Sequence, residues 1–247
     1  MNAVEDLVER ERAFHNMRFT EDPREAQGKY YFAILDCDDR YEKLLAQHAK
    51  DAVVLDYGCA LGEWAIQLAP EAREVHGIDI SDVAIATAQK EAAARGLTNT
   101  HFAVMDAHNT TYPDNYFDFI FGIGIIHHLD THLSLKEVAR VLKPGGVAIF
   151  REPLGANPAI NLYRAATPEA RTEDEHPLLL KDRKVADRLF KKADWTFYGL
   201  LTLASVPLRN SPLGRPAYRL TALLDRVLLR VPGVQWLGWC ALIELRK

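Results

Sequence analysis

An α/β fold, a doubly wound sheet with helices between its strands, is predicted by three features of this sequence of 247 residues. Residues 53–69 run from an apolar strand through a glycine turn into a helix. Apolar strand-like segments alternate with helical ones through the middle of the chain. Three of those segments in succession end on an aspartate: Asp56, Asp79 and Asp106. Glycine lets a ligand approach the backbone and a helix N-terminus presents free N–H groups, so strand, glycine turn and helix together make a nucleotide-type site.

The first strand, Val53-Val54-Leu55, has the continuous apolar character of a strand buried on both faces. Gly58 and Gly62 bracket the turn, and Trp64 to Ala69 opens the helix. A dinucleotide fingerprint would need Gly-x-Gly-x-x-Gly or -Ala from Gly58. Ala60 stands where its second glycine belongs and Glu63 where its last belongs, which argues against an NAD-dependent dehydrogenase. No Gly-Lys-Ser/Thr follows, so a phosphate-cradling P-loop is excluded. The row instead resembles the Asp-x-Gly-x-Gly-x-Gly motif of class I S-adenosylmethionine-dependent methyltransferases, with Asp56, Gly58, Ala60 and Gly62 in register and alanine replacing the central glycine.

Before this motif, residues 4–18 carry Val4, Leu7, Val8, Phe14 and Met17 near helical spacing, residues 20–28 are a polar break, and 29–49 read as a second helix. After it, Glu74 to Ile80 is a second strand, and Asp79 lies 23 positions beyond Asp56, where a carboxylate takes two ribose hydroxyls, its other reading being a cap for the next helix. Ser81 or Asp82 caps the next helix, Val83 to Arg95, which Gly96 stops. His101 to Ala107 reads as a third strand. The loop Pro113-Asp114-Asn115-Tyr116-Phe117-Asp118 leads into a fourth strand, Phe119 to Ile123, and a helix follows His127-His128. That Pro-Asp-x-x-Phe-Asp loop resembles the ubiquinone/menaquinone-biosynthesis-like methyltransferases. A turn at Lys143-Pro144-Gly145-Gly146 precedes a fifth strand, Val147 to Arg151.

Later segments are expected as an irregular excursion over 153–193, a helix at Lys181 to Lys192, a sixth strand at Thr196 to Val206, a helix at Tyr218 to Val231 and a last strand at Trp239 to Leu245. The resemblance covers roughly residues 50–152. It implies five βα units and a Rossmann-like, seven-stranded, mostly parallel sheet with an antiparallel last strand. The organisation expected is one structural domain: a helical lid at 1–49 (or helices that merely cover the sheet), the cofactor-binding core at 50–152, and a substrate-side insertion with the end of the sheet at 153–247.

What the resemblance implies for the site is specific. S-adenosylmethionine would be held by Asp56, Gly58, Cys59, Ala60, Gly62, Asp79, Ile80, Asp106, Ala107, Gly122 and Ile123. Asp106 would accept from the adenine amine. The acceptor would lie near Phe14, His15, Tyr30, His127, Tyr163 and Arg164. His127, Glu152 and His176 are the candidates for a base, if the acceptor needs one removed proton. Glu152 has a second reading, as a hydrogen-bond anchor for a loop. No metal site is expected.

Composition narrows the partners. With 48% hydrophobic and 26% charged residues, neither disorder nor a membrane protein is indicated. A net charge of −4 and the absence of Asn/Asp-Pro-Pro-Tyr/Phe after the fourth strand point from nucleic acid towards a small, fairly apolar acceptor. Cys37, Cys59 and Cys240 form no CxxC pair and suit reduced thiols; with no signal peptide, a cytoplasmic protein is expected. The helix at 218–231 pairs an apolar stripe with arginines. It reads as a cover for the sheet or a dimer face, with a peripheral membrane contact as the lesser alternative. A catalytically silent cofactor-binding scaffold or accessory subunit is the rival to an enzyme. The acceptor, the methylated atom and the oligomeric state are not encoded legibly.

Overall fold

The computed structural model describes residues 9–17, 28–167, 172 and 175–247. Its centre is a seven-stranded sheet built from β1 (Val53–Tyr57), β2 (Glu74–Asp79), β3 (Thr100–Val104), β4 (Phe117–Ile123), β5 (Leu142–Pro153), β6 (Lys192–Tyr198) and β7 (Cys240–Arg246). The spatial order is β3-β2-β1-β4-β5-β7-β6. The first five strands are mutually parallel, and β7 runs antiparallel to both β5 and β6.

Every residue of β1 is buried, as its unbroken apolar run requires. Alternation divides its side chains: Val53, Leu55 and Tyr57 join one core with Ile120 and Phe150, while Val54 joins the other with Phe119, Phe121 and Ile149. Strand order reverses on the two sides of β1, with β2 and β3 to one side and β4 and β5 to the other. Open α/β sheets bind ligands in the crevice at the carboxyl ends of the strands beside such a reversal.

The helices are α1 (Leu35–Ala49), α2 (Glu63–Leu68), α3 (Asp82–Ala94), α4 (Thr131–Val141), α5 (Pro158–Ala165), α6 (Leu180–Leu189) and α7 (Gly214–Leu228). A 3₁₀ turn, Lys29–Ile34, leads into α1, which buries Cys37, Tyr41, Leu45 and Ala49 one turn apart. Ser81 caps α3 by accepting from the amide of Ala84. The expected helix over 4–18 is helical across 9–17; Val4, Leu7 and Val8, the break at 20–27, and residues 168–171 and 173–174 of the excursion lie outside the described residues.

Several sequence expectations need correction. β3 stops at Val104, and residues 105–116 reach β4 without a helix, so the unit expected after the third strand is absent. The turn at 143–146 lies within the bounds of β5: Phe117 pairs with Leu142 and Phe119 already pairs with Val147, so those four residues bulge out of the ladder. The sixth strand is Lys192–Tyr198, not 196–206, and Thr202–Leu208 is 3₁₀. At Gly199 the backbone turns with φ +82, and the amide of Trp239 donates to the carbonyls of both Tyr198 and Gly199, which ends the strand. β6 is an edge strand, so its Lys192 and Asp194 are where an edge places charge.

The helix expected at 218–231 begins earlier, at Gly214, and turns its apolar stripe outward. Tyr218, Ala222 and Asp225 are its buried residues, while Leu220, Leu223, Leu224 and Val227 are exposed. It therefore does not cover the sheet with that stripe.

Candidate active site

The carboxyl ends of β1, β2 and β4 and the segment after β3 converge on a cavity of about 710 Å³. The turn after β1 is held from below: the amides of Gly58 and Cys59 donate to the carbonyl of Ile78 at 2.9 and 2.8 Å. Gly58, Ala60 and Gly62 all have positive φ, at 80, 47 and 75. A Cβ on Gly58 would lie 2.8 Å from Ile125, and one on Gly62 2.8 Å from both Ala88 and Phe102. Only glycine fits those two contacts, whereas Ala60 carries its Cβ in a conformation costly for an L-residue.

Asp79 ties this turn to the end of β2. Its Oδ2 accepts from the amide of Ala60 and its Oδ1 from that of Ser81, each at 2.9 Å. A carboxylate has about four acceptor positions, so two remain for a ligand's hydroxyls. Asp56 is buried, and burial lifts its carboxyl well above the usual carboxylate range, with nearby Asp79 adding to the effect.

Past β3, Asp106 Oδ1 accepts from the amide of His108 at 2.9 Å and faces its Nδ1 at 2.8 Å. His108 Nε2 accepts from the amide of Asp130 at 3.0 Å, which assigns the ring proton to Nδ1. Burial works to raise the Asp106 pKa, but the hydrogen bonds from His108 outweigh it and hold the carboxyl below its ordinary value. Tyr57 donates its hydroxyl to the Ala107 carbonyl and so anchors the same loop.

The corner after β4 is organised by Glu152, whose residue is fully buried at 0% exposure. Its Oε1 accepts from the amides of Ile125 and Ile126 at 2.9 and 3.0 Å, and its Oε2 lies 2.8 Å from His127 Nδ1. That pairing puts a proton on Nδ1 and leaves a lone pair on Nε2. Burial, reinforced by neighbouring His128, depresses the His127 pKa against the pull of Glu152. Across the cavity, Tyr30 packs edge-on to Tyr163 with ring centres 5.2 Å apart and to Trp239 at 6.4 Å.

Of the residues expected around the cofactor, Asp56, Gly58, Cys59, Ala60, Asp79, Ile80, Asp106, Ala107 and Ile123 border this cavity. Gly62 and Gly122 do not. Gly62 serves the packing of α2 against α3, and a Cβ on Gly122 would lie 2.7 Å from the Tyr57 carbonyl, so that glycine lets β1 and β4 approach. On the acceptor side His15, Tyr30, His127, Tyr163 and Arg164 border the cavity, and Phe14 does not. Phe14 packs instead edge-on against His15.

Among the base candidates, His127 and Glu152 reach the wall and His176 is set behind it. The His176 amide donates to the His127 carbonyl at 2.8 Å and its ring sits 3.2 Å from the Thr131 hydroxyl. The loop-anchor reading of Glu152 accounts for every contact its oxygens make. Sequence reasoning passed over Glu11, His108 and Glu175, which also line the cavity. Glu11 and His15 are one helical turn apart, a spacing visible in the sequence; His108 and Glu175 carried no comparable signal.

Comparison with known proteins agrees with this geometry. Residues 54–146 match the family described as Methyltransferase domain. Over that segment the chain is similar to methyltransferase domains. A demethylmenaquinone methyltransferase of Geobacillus kaustophilus (strain HTA426) is 36% identical over 120 residues, 47% of this chain and 50% of that protein. The aklanonic acid methyltransferase DauC of Streptomyces sp. (strain C5) is 37% identical over 105 residues, 41% of this chain and 48% of that protein. This chain therefore spans about half the length of each relative. The geranyl diphosphate C-methyltransferase of Streptomyces coelicolor A3(2) shares the fold at a TM-score of 0.64 and 12% identity, covering 99% of this chain and 98% of that one.

The residues of this site fit S-adenosylmethionine. Asp79 keeps acceptor capacity beside the turn, Asp106 presents a second carboxylate, and Ile78, Ile80, Met105 and Leu129 supply apolar walls between them. Two carboxylates around an apolar slot suit the hydroxyls and amine of an adenosine.

Proposed function

We propose that this chain transfers a methyl group from S-adenosylmethionine to a small, fairly apolar acceptor by in-line displacement. The observation that carries the proposal is the continuity of the cavity. The same 710 Å³ space that borders Asp79 and Asp106 extends to His127, Tyr30, Tyr163 and Trp239. That volume lies within the range of small-molecule sites, and one cavity bordering both ends is what a two-substrate transfer requires.

The cofactor, when bound, supplies a methyl group on a positively charged sulfur. Asp79 would hold the ribose and Asp106 the adenine, which directs the reactive end towards the β4 and β5 corner. The acceptor is placed between that corner and the aromatic wall of Tyr30, Tyr163 and Trp239. Holding two reactants about 3 Å apart and excluding water supplies most of the rate in such a displacement. For a hydroxyl acceptor His127 takes the proton at Nε2, since Glu152 holds the ring through Nδ1. For a carbon or amine acceptor that residue only positions.

The helical segment 9–17 and the turn at 29–34 act as a lid over the core at 50–152, and residues 153–247 complete the acceptor side; Glu11, His15, Tyr30 and Tyr31 reach the cavity from the lid. The protein is proposed to work on the cytoplasmic side, where buried thiols such as Cys37, Cys59 and Cys240 stay reduced. Among the described residues no helix is long and apolar enough to cross a membrane.

The test is incubation with S-adenosylmethionine and a panel of hydroxylated quinones, polycyclic phenols and prenyl compounds, read by mass spectrometry. Methylation of any of them supports the proposal. Failure to bind S-adenosylhomocysteine overturns it, and binding without turnover across the panel favours a scaffold.

A further inference from the structure

The lid carries a carboxylate for which methyl transfer has no use. Glu11 is 5% exposed, and among the described residues neither of its carboxylate oxygens has a hydrogen-bond partner of good geometry; nor has Nδ1 of the buried His128 facing it. Buried polar atoms are rarely left so, because each costs on the order of 1–3 kcal/mol when unpaired. Glu11 Oε2 lies 3.2 Å from His128 Nδ1 and 3.3 Å from His15 Nε2. The groups are close enough to attract one another.

One ligand atom from each of Glu11, His15 and His128 lies within 4.8 Å of the other two. Two donors each about 2.1 Å from a metal, subtending roughly 100° at it, stand about 3.2 Å apart. One carboxylate oxygen and two imidazole nitrogens suit zinc, iron, cobalt or manganese, and a three-ligand set leaves positions open for another oxygen. We propose that Glu11, His15 and His128 bind one divalent transition-metal ion at the lid side of the cavity. His127 Nε2 and Glu175, 3.8 Å apart, stand next to the same site and form with His128 a second cluster close enough to share an ion. An ion there would hold an oxygen of the acceptor and fasten the lid to the core. Its use on the acceptor rests on the methyl-transfer proposal, whereas its binding does not.

The experiment is calorimetric titration of the chelator-treated full chain with Zn²⁺ and with Co²⁺ alone, the latter also read by its visible absorption. One equivalent should bind with a dissociation constant in the micromolar range or tighter, and Co²⁺ should develop ligand-field bands. Glu11→Ala and His128→Ala should each weaken binding by ten-fold or more, roughly the loss of one ligand, while affinity for S-adenosylhomocysteine stays unchanged. Absence of stoichiometric binding of either ion overturns the proposal, as does binding that both variants keep. Loss of S-adenosylhomocysteine binding by the wild type would sink the methyl-transfer proposal and leave the metal result standing.

A separate observation concerns α7. Its outward face exposes Leu220, Leu223, Leu224 and Val227, at 62, 58, 47 and 63%, and the stripe continues to Leu213 and Val231 at its two ends. Arg215, Arg219, Arg226 and Arg230, all exposed, fall at helical spacing along one flank of that stripe, and of these Arg226 pairs with Asp36 at 2.9 Å. The one acid in the helix, Asp225, is buried and accepts from the amides of Leu200, Leu201 and Thr202. This face is basic on a chain whose net charge is −4. An apolar stripe with a cationic flank matches an anionic lipid surface in both hydrophobicity and charge.

We infer that α7 seats the protein peripherally on anionic membranes. The full chain should co-sediment with vesicles of phosphatidylcholine and phosphatidylglycerol at low salt, less so at high salt, and hardly with phosphatidylcholine alone. Leu223→Ser/Val227→Ser should lose that binding while retaining S-adenosylhomocysteine affinity. No co-sedimentation at low salt overturns the inference. So does a wild-type dimer that this double variant dissociates in the absence of lipid, which would make the face a contact between copies.

Discussion

Replacing Asp79 by alanine separates two jobs that one carboxylate performs. In the free protein its two oxygens each accept one backbone amide, from Ala60 and Ser81 at 2.9 Å, so the side chain locks the glycine turn to the end of β2. In the complex its remaining lone pairs are proposed to take the ribose hydroxyls. Hydrogen bonds to a charged group contribute about 1.5–3 kcal/mol, which corresponds to a roughly 10- to 150-fold rise in the dissociation constant. The stranded amides cost stability as well, about 1–3 kcal/mol for each that stays buried without a partner. Asp79→Asn, which keeps one carbonyl oxygen, should fall between wild type and Asp79→Ala on both scales. Calorimetric titration with S-adenosylhomocysteine gives the affinity, and urea unfolding gives the stability. If Asp79→Ala is folded, less stable and equally tight for the cofactor product, the residue is a turn lock only and its proposed ribose contact is refuted.

Three other changes have worked-out directions. Glu152→Ala strands the amides of Ile125 and Ile126 and frees His127 Nδ1, so it should cost roughly 2–4 kcal/mol in denaturant unfolding; a loss below about 0.5 kcal/mol, the scale of a surface substitution, would contradict its anchoring role. Ala60→Gly relieves a φ of 47 that costs alanine about 1–2 kcal/mol, but adds up to ~1 kcal/mol of unfolded-chain entropy, so a change between zero and about 1 kcal/mol stabilising is expected. Clear destabilisation there would show that the alanine methyl packs usefully. Glu137 has its pKa lowered, with burial opposing and the hydrogen bonds from Arg140 and Thr110 prevailing. A depressed carboxylate stabilises above its unfolded pKa of about 4.3 and loses that contribution as pH falls through the folded value. The stability gap between wild type and Glu137→Gln should therefore be widest at neutral pH and close in acid; a gap constant with pH would refute this.

How much of this was readable in advance followed from burial. β1 and β4 are buried over most of their length, so their apolar runs announced them, and the aspartates at their neighbours' ends marked the crevice. The edge strand β6 was misplaced because its Lys-Ala-Asp start is polar on account of its exposure, while the more apolar stretch after it is 3₁₀. Periodicity found the stripe on α7 but carries no information about what faces it; the buried side proved to be Tyr218, Ala222 and Asp225. Gly62 at the turn and Gly122 in β4 are both expected to face the ligand, yet they serve helix and strand packing. The sequence singles out His176 and not its neighbour Glu175, yet the path of the backbone decides which of two adjacent residues reaches the cavity, and it is Glu175. The cluster of Glu11, His15 and His128 joins residues far apart in sequence, and only the placement of the lid brings them together.

The central claim is methyl transfer within this cavity, and isotope transfer tests it most directly. The protein is incubated with cell extract and S-adenosylmethionine carrying a trideuterated methyl group, and the small molecules are compared by mass spectrometry with the unlabelled reaction. The account predicts at least one apolar metabolite whose mass rises by one trideuteromethyl group in the first case and one methyl group in the second. That gain should be absent with heat-inactivated protein and diminished with Asp79→Ala. Extracts that yield no labelled product, from protein that binds S-adenosylhomocysteine normally, would contradict it.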